Sequence, residues 1–187
     1  MTELDYPALW NEAYTWADYL GTEVVKHRDL WLAVDSRATV PPWALEEAAR
    51  LGDGWKLLVI SEDWCGDASN TVPIIAKLAE AAPGMEMRVV KRDENDALMD
   101  AYLTNGSRSI PLAVVLDREF RPAGRWGPRP KELQEMVLRE KKAGLRPLDD
   151  IYRDVRRWYA RDRGESTLRE VLAVMASHRD TEARRTA

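Results

Sequence analysis

The stretch that decides the fold is Leu57-Leu58-Val59-Ile60-Ser61-Glu62-Asp63-Trp64-Cys65-Gly66-Asp67-Ala68-Ser69. It opens with a short apolar run that contains β-branched residues, which predicts a buried strand. After Cys65, apolar residues recur at helical spacing as far as Ala82, so the chain passes from a strand into a helix after the cysteine. Cys65 is the only cysteine, and Ala68 stands where a Cys-x-x-Cys motif would have its second thiol. The thiol is well placed for chemistry but has no partner thiol in the chain.

The segments around this stretch alternate in type. Apolar periodicity and the Gly, Pro and Asn-Gly breaks predict a strand over 56–60, a helix over 68–82, a strand over 85–90, a helix over 96–103, strands over 112–116 and 121–126, and a helix over 131–142. Strand, helix, strand, helix, hairpin and helix is an α/β order, in which a parallel crossover precedes an antiparallel ribbon.

Both flanks of this middle segment predict helices. Before it, helices are predicted over 6–20, 24–34 and 43–51; after it, an apolar stripe from Ile151 to Tyr159 marks one helix. Thr167 and Glu170 form a candidate capping box for a last helix, whose charges beyond His178 are expected to fray into solvent. We therefore expect one domain overall, made of a helical extension (1–54) packed on the core, the core itself (55–142) and C-terminal helices (143–187). The N-terminal helices either cover a sheet face or form a dimer contact, so the oligomeric state stays open.

The composition of the chain limits which binding partners and which cellular compartment we expect. The net charge of −4 and the pI of about 5.4 argue against attraction to nucleic acid or to an anionic membrane. The arginines between Arg153 and Arg163 resemble a basic patch, but Asp154 and Asp162 interrupt it. The acidic start lacks the features of a secretory signal, and no apolar run is long enough to span a membrane. We expect a soluble cytoplasmic protein with a free thiol in a reducing compartment.

The middle segment resembles the thioredoxin family at several landmarks in register. They are Trp64-Cys65-Gly66-Asp67-Ala68 at the end of the strand, Pro73 in the helix that follows, Asp93-Glu94-Asn95 after the next strand, Ser109-Ile110-Pro111 in the position of the family's cis-proline loop, and Gly127 beside its substrate groove. The resemblance implies an α/β thioredoxin-like fold, with a central mixed β-sheet flanked by helices and with helical N- and C-terminal extensions.

The likeness is greatest to single-cysteine members with a Trp-Cys-Gly-Asp motif and a Trp-Gly-Pro-Arg-Pro segment, here residues 126–130. It implies thiol–disulfide exchange at Cys65 without a resident cofactor. Three departures from the dithiol members fit together, because Ala68 replaces the second thiol, and Val59 and Val89 replace the buried acid and its lysine partner. An external thiol, such as a low-molecular-weight one, would have to resolve any adduct.

The resemblance also implies a substrate groove around the catalytic Cys65. Its expected members are Trp64, Gly66, Asp67, Ile110, Pro111, Trp126, Gly127 and Arg129. Core packing is the alternative for Trp126. We expect Asp67 to accept amide hydrogen bonds at the helix start. Arg129 could pair with Asp67, bind a carboxylate of glutathione or a similar thiol, or lie free on the surface.

The reactivity of the thiol depends on opposing influences. A helix start lowers the pKa of a nearby thiol, whereas the carboxylates of Glu62, Asp63 and Asp67 raise it, so we expect a moderately activated Cys65. Two isolated histidines and one cysteine give no metal-ligand spacing. The leading hypothesis is a monothiol oxidoreductase acting on a protein disulfide or a low-molecular-weight thiol substrate. The alternatives are a redox-inactive module that binds partners in the same groove, and a cysteine that serves only as a small buried hydrophobe.

Overall fold

A mixed five-stranded sheet forms the centre of the molecule in the computed structural model, which describes residues 4–186. The strands are β1 (Tyr14–Thr15), β2 (Trp55–Ser61), β3 (Met85–Lys91), β4 (Leu112–Leu116) and β5 (Pro122–Trp126), in the spatial order β1-β3-β2-β4-β5. β2 and β3 are parallel, and the other neighbouring pairs are antiparallel. The sheet confirms the α/β prediction, including the crossover and the hairpin.

Helices flank the sheet. They are α1 (Tyr6–Glu12), α2 (Trp16–Asp18), α3 (Arg28–Arg37), α4 (Pro42–Leu51), α5 (Gly66–Ala81), α6 (Asp96–Ala101), α7 (Lys131–Ala143), α8 (Leu148–Asp162) and α9 (Glu165–Thr186). In the middle segment, the helices and strands lie within about two residues of their predicted bounds, because their apolar periodicity coincides with the faces that they bury.

The main core lies around the two central strands. Residues 57–60 of β2 and all of β4 are fully buried, and α5 covers them with an almost continuous apolar face. The register places Val59 directly opposite Val89 on the neighbouring strand, and both are fully buried. Two valines thus pair where the resemblance to dithiol thioredoxins expected an acid and a lysine, so this part of the core is apolar and needs no buried ion pair.

The N-terminal extension is less helical than predicted. The helix predicted over 6–20 is broken after Glu12, where Tyr14 and Thr15 pair with β3 as a short edge strand. This pairing satisfies backbone groups that an open edge of β3 would leave unpaired. The helix predicted over 24–34 begins only at Arg28, because the amides of Val25 and Lys26 donate to the Asp63 carboxylate at 3.1 and 2.6 Å.

The C-terminal helix departs from the sequence prediction in two ways. Thr167 lies inside α9, so it cannot cap that helix, and its buried hydroxyl has no hydrogen-bond partner within residues 4–186. The carboxylate of Glu170 instead accepts the Trp126 indole N–H and the Lys131 amide, both at 2.8 Å. The capping box is therefore wrong, since Glu170 caps the start of α7.

The predicted fraying beyond His178 is also wrong. Helix α9 continues to Thr186, and His178 packs edge-on against Trp55 with ring centroids 6.0 Å apart. The guanidinium of Arg179 donates to the carbonyl of Leu51 at the end of α4. These tertiary contacts stabilise the helical conformation of a charged stretch that would be only marginally helical by itself.

A second, smaller apolar cluster joins α7 and α8. Leu133 and Val137 of α7 pack there against Val155 and Tyr159 of α8. Within residues 4–186, no helix combines the length and the apolarity that crossing a bilayer requires.

Candidate functional site

Cys65 lies between the end of β2 and the start of α5, where it is the N-cap residue. The residue is only 8% exposed, and its thiol donates a hydrogen bond to the carbonyl of Ile110 at 3.5 Å. The Ile110-Pro111 peptide bond is cis. The structure thus brings together the cysteine and the proline loop that the sequence singled out.

Burial raises the pKa of the Cys65 thiol above its ordinary value. The backbone amides of Ala68 and Asp67 at the start of α5 act in the opposite direction, as does the positive charge of Arg129. The Asp67 carboxylate raises the pKa further. Burial and the carboxylate outweigh the helix start, so the prediction of a moderately activated thiol is wrong.

The Asp67 carboxylate is the centre of a hydrogen-bonded group beside the thiol. It accepts the Arg129 Nε at 2.9 Å and the Tyr159 hydroxyl at 2.9 Å, and its second oxygen lies 2.5 Å from an Arg129 Nη. Arg129 also donates to the Gln134 side chain at 2.9 Å. Within residues 4–186 the Asp67 carboxylate bonds to Arg129 and Tyr159 and not to the amides of the helix start, which corrects that expectation. Of the three possibilities for Arg129, the structure has the ion pair.

A cavity of about 690 Å³ opens over the thiol, and we call it the Cys65 cavity. It is bounded by the motif with the start of α5, by the loop that ends in Ile110, and by one face of α8. The cavity is lined by the predicted catalytic Cys65 and, of the predicted groove residues, by Trp64, Gly66, Asp67, Ile110 and Arg129. A cavity of this size is typical of small-molecule sites.

Three of the predicted groove residues do not line the Cys65 cavity. Trp126 is buried in the main core, as the alternative of core packing predicted, and its indole donates to Glu170. Pro111 is buried as well. Gly127 has a φ of +119°, and a Cβ there would lie 2.3 Å from the Pro111 carbonyl oxygen. Gly127 therefore supports the site by allowing this close backbone approach.

Both extensions contribute to the site, which the sequence did not reveal. The Trp31 indole of α3 donates to the Asp63 carbonyl at 2.9 Å, and His27 and Leu30 line the cavity. Tyr152, Arg153, Arg156 and Tyr159 of α8 line its other side. The apolar stripe of α8 was visible in the sequence, but only the packing of α8 on α7 shows which way its arginines face.

A second cavity of about 610 Å³ adjoins the first between α3, α5 and α8. The two share Leu30, Asn70, Arg156 and Tyr159 as lining residues. Over residues 4–186, no three His, Cys, Asp or Glu side chains converge in a way that could hold a metal ion.

A mixed sheet, a thiol at a helix start and a facing cis-proline loop define the thioredoxin-like class of protein. The sequence profile of the thioredoxin family matches residues 13–145, so the chain belongs to the thioredoxin family. No curated protein matched the chain.

Two solved structures share the fold. One is a protein of unknown function from Pseudomonas aeruginosa, with a TM-score of 0.73 and 21% identity over 93% of this chain and 98% of its own. The other is an HIV epitope scaffold, with a TM-score of 0.73 and 20% identity over 92% of this chain and 98% of its own. At these identities the likeness concerns the fold alone.

Proposed function

We propose that this protein is a monothiol thiol–disulfide exchange protein that uses Cys65, with deglutathionylation as its type of reaction. One observation carries the proposal: the only thiol of the chain borders a cavity of about 690 Å³, at a helix start and opposite the loop of Ile110. A cysteine kept only as a small core hydrophobe would not need a cavity of this size beside it.

The exchange takes place in two balanced steps. The Cys65 thiolate attacks one sulfur of a substrate disulfide, so that a new S–S bond forms while the old one breaks. The leaving thiolate takes the electron pair and then a proton from water. Because Ala68 offers no second thiol, an external thiol attacks the mixed disulfide and frees Cys65 in the same way.

The raised pKa of Cys65 sets the conditions for this chemistry. Only the thiolate attacks, so the fraction of reactive protein is small at neutral pH and grows as the pH rises. A thiolate of higher pKa is intrinsically more nucleophilic, which offsets part of this loss. We therefore expect a slow exchanger whose rate increases with pH.

The substrates that fit this proposal are protein disulfides and mixed disulfides of low-molecular-weight thiols. A reducing compartment such as the cytoplasm would supply the external thiol. The net charge of −4 supports the absence of a nucleic-acid partner.

A redox-inactive binding module is the second candidate. The low exposure of Cys65 and its raised pKa favour it, because both reduce reactivity. In that case the Cys65 cavity would bind a partner without exchange.

A deglutathionylation assay separates the two candidates. Wild type and Cys65→Ser are given a glutathionylated peptide with glutathione as the external thiol, and peptide thiol release is followed. We expect turnover by wild type only, together with a glutathione adduct on Cys65 in its intact mass. Equal background rates in both proteins would contradict exchange, and partner capture retained by the serine variant would favour the binding module.

A further inference from the structure

Arg156 differs from the other arginines that line the Cys65 cavity. Its guanidinium makes no hydrogen bond and no ion pair with any residue in 4–186, and its side chain is exposed. It lies one helical turn before Tyr159, whose hydroxyl contacts Asp67 beside the thiol. It also lines both the Cys65 cavity and the adjoining one, so it stands where the two meet.

The other arginines that line the cavity already have carboxylate partners. Arg129 pairs with Asp67 at 2.5 Å, Arg92 with Asp93 at 2.7 Å, and Arg153 with Asp150 at 3.1 Å. Arg108 is held by Asp96 and by Asp100. Within the described chain, the guanidinium of Arg156 is thus the lining arginine whose charge is available to a ligand.

The carboxylates of the cavity do little to cancel that charge. Asp67 is neutralised by Arg129 and also holds the Tyr159 hydroxyl. Asp149 is the other acidic lining residue, and it lies seven residues from Arg156 on the same helix, which is about 10 Å along the axis. An anion near Arg156 would therefore meet a net attraction, in a cavity that Cys65 also lines.

We propose that Arg156 is a specificity residue that binds a carboxylate of an anionic low-molecular-weight thiol when that thiol is carried as a disulfide into the Cys65 cavity. The proposal rests on the exchange function above. Guanidinium binds carboxylate through paired hydrogen bonds, which fixes the orientation of the ligand as well as its charge. Held in this way, the sulfur of the ligand faces Cys65; the thiolate attacks it, and the other half of the disulfide leaves with the electron pair.

Two chromogenic disulfides test this specificity. One is the dianion 5,5′-dithiobis(2-nitrobenzoate) and the other is the uncharged 4,4′-dithiodipyridine. In single-turnover reactions at low salt, Arg156→Gln should slow the attack on the dianion about threefold to tenfold and leave the uncharged disulfide within about twofold of wild type. The uncharged disulfide monitors any change in the thiol itself.

Arg157→Gln is the matched control, because Arg157 is the next residue of α8, pairs with Asp154 and does not line the cavity. It should leave both rates near wild type. The proposal would be overturned if Arg156→Gln left the ratio of the two rates unchanged, whether both rates stayed at their wild-type values or fell by the same factor.

Equilibrium binding separates this inference from the exchange function. S-methylglutathione has carboxylates but no free thiol, and its binding to Cys65→Ser and to Cys65→Ser/Arg156→Gln is measured by calorimetry. Weaker binding to the double variant supports the role of Arg156 even if wild type proves inactive in exchange. Equal affinities, or no binding to either protein, would refute it.

Discussion

At the scale of single residues, Asp67 influences Cys65 through charge. It stands in the first turn of α5, but its carboxylate faces Arg129 and Tyr159 and not the helix amides. It raises the pKa of the thiol, whereas Arg129 lowers it. The two members of this ion pair therefore have opposite effects on the pKa of the Cys65 thiol.

Replacing Asp67 by Asn should lower the pKa of Cys65. The change removes the negative charge and leaves that of Arg129 uncompensated, and both effects favour the thiolate. The pH profile of iodoacetamide alkylation should move to lower pH, with faster alkylation at neutral pH. Asp149→Asn removes another carboxylate that lines the cavity, and it should leave the profile in place, because the charge that raises the pKa of Cys65 is that of Asp67. A profile of Asp67→Asn that is unchanged or moves to higher pH would contradict this account.

Gly127 allows a close approach of its backbone to Pro111 of the cis-proline loop, and its substitution tests how much stability depends on that approach. Its positive φ and the 2.3 Å separation of a Cβ from the Pro111 oxygen leave no room for a side chain. Gly127→Ala should lower the free energy of unfolding by about 3 kcal/mol. Gly21→Ala is the control, because nothing lies within 4 Å of its Cβ position, and it should stay within about 1 kcal/mol of wild type. Urea denaturation measures both, and similar values for the two variants would refute the prediction.

At the scale of elements, Glu170 links three of them. From α9 it accepts the Trp126 indole of β5 and the first backbone amide of α7. The junction is partly buried and charged, so its bonds count for more than those of a surface ion pair.

Glu170→Ala should therefore destabilise the protein by about 3 kcal/mol, since it leaves the buried indole N–H and a helix amide unpaired. Glu165→Ala, earlier on the same helix, removes an exposed ion pair with Arg169 and should cost about 0.5 kcal/mol. Chemical denaturation of the two variants is the measurement. A loss for Glu170→Ala as small as that for Glu165→Ala would show that the junction is dispensable.

The elements differ in how far the sequence determines them. The strand of residues 57–60 and helix α5 could be predicted from the sequence, because the spacing of their apolar residues indicates which faces are buried. The strand at Tyr14 could not, because it exists only where β3 offers an edge. The end of α9 could not either, because its charged turns are held by Trp55 and Leu51 from distant parts of the chain.

The residues of the candidate site also differ in whether the sequence predicts them. Cys65, Trp64 and Ile110 were predictable because a local motif or the resemblance carries them. Arg156 and Tyr159 were not, because their role depends on the packing of α8, which no local pattern states.

At the scale of the whole molecule, the last helix, α9, belongs to the main core together with the central sheet. Helix α9 buries Leu168, Val171, Leu172 and Met175 in the main apolar cluster. Gly164, just before it, touches Ile74 of α5 so closely that a Cβ would lie 2.6 Å from a methyl group. We therefore expect residues 55–142 alone not to form a complete folding unit.

A chain that ends at Ala143 should therefore lose its cooperative thermal transition, because it exposes the sheet and α5 where α9 covers them. A chain that ends at Arg179 keeps these four apolar residues and the bond from Arg179 to Leu51, and it should unfold cooperatively. Circular dichroism on heating distinguishes the two. A full-length-like transition for the shorter chain would indicate an independent core.

The hydrogen bond from the Tyr159 hydroxyl to the Asp67 carboxylate links helix α8 directly to the site. Helix α8 also packs on α7 through the small apolar cluster, so we expect binding in the cavity that α8 lines to be coupled to the local stability of α8. Such coupling is reciprocal: a ligand that slows amide exchange along α8 must bind more weakly when α8 is loosened, and by the same free energy. The occupancy of the cavity next to the thiol can thus be measured far from any sulfur, in the protection of the backbone amides of α8.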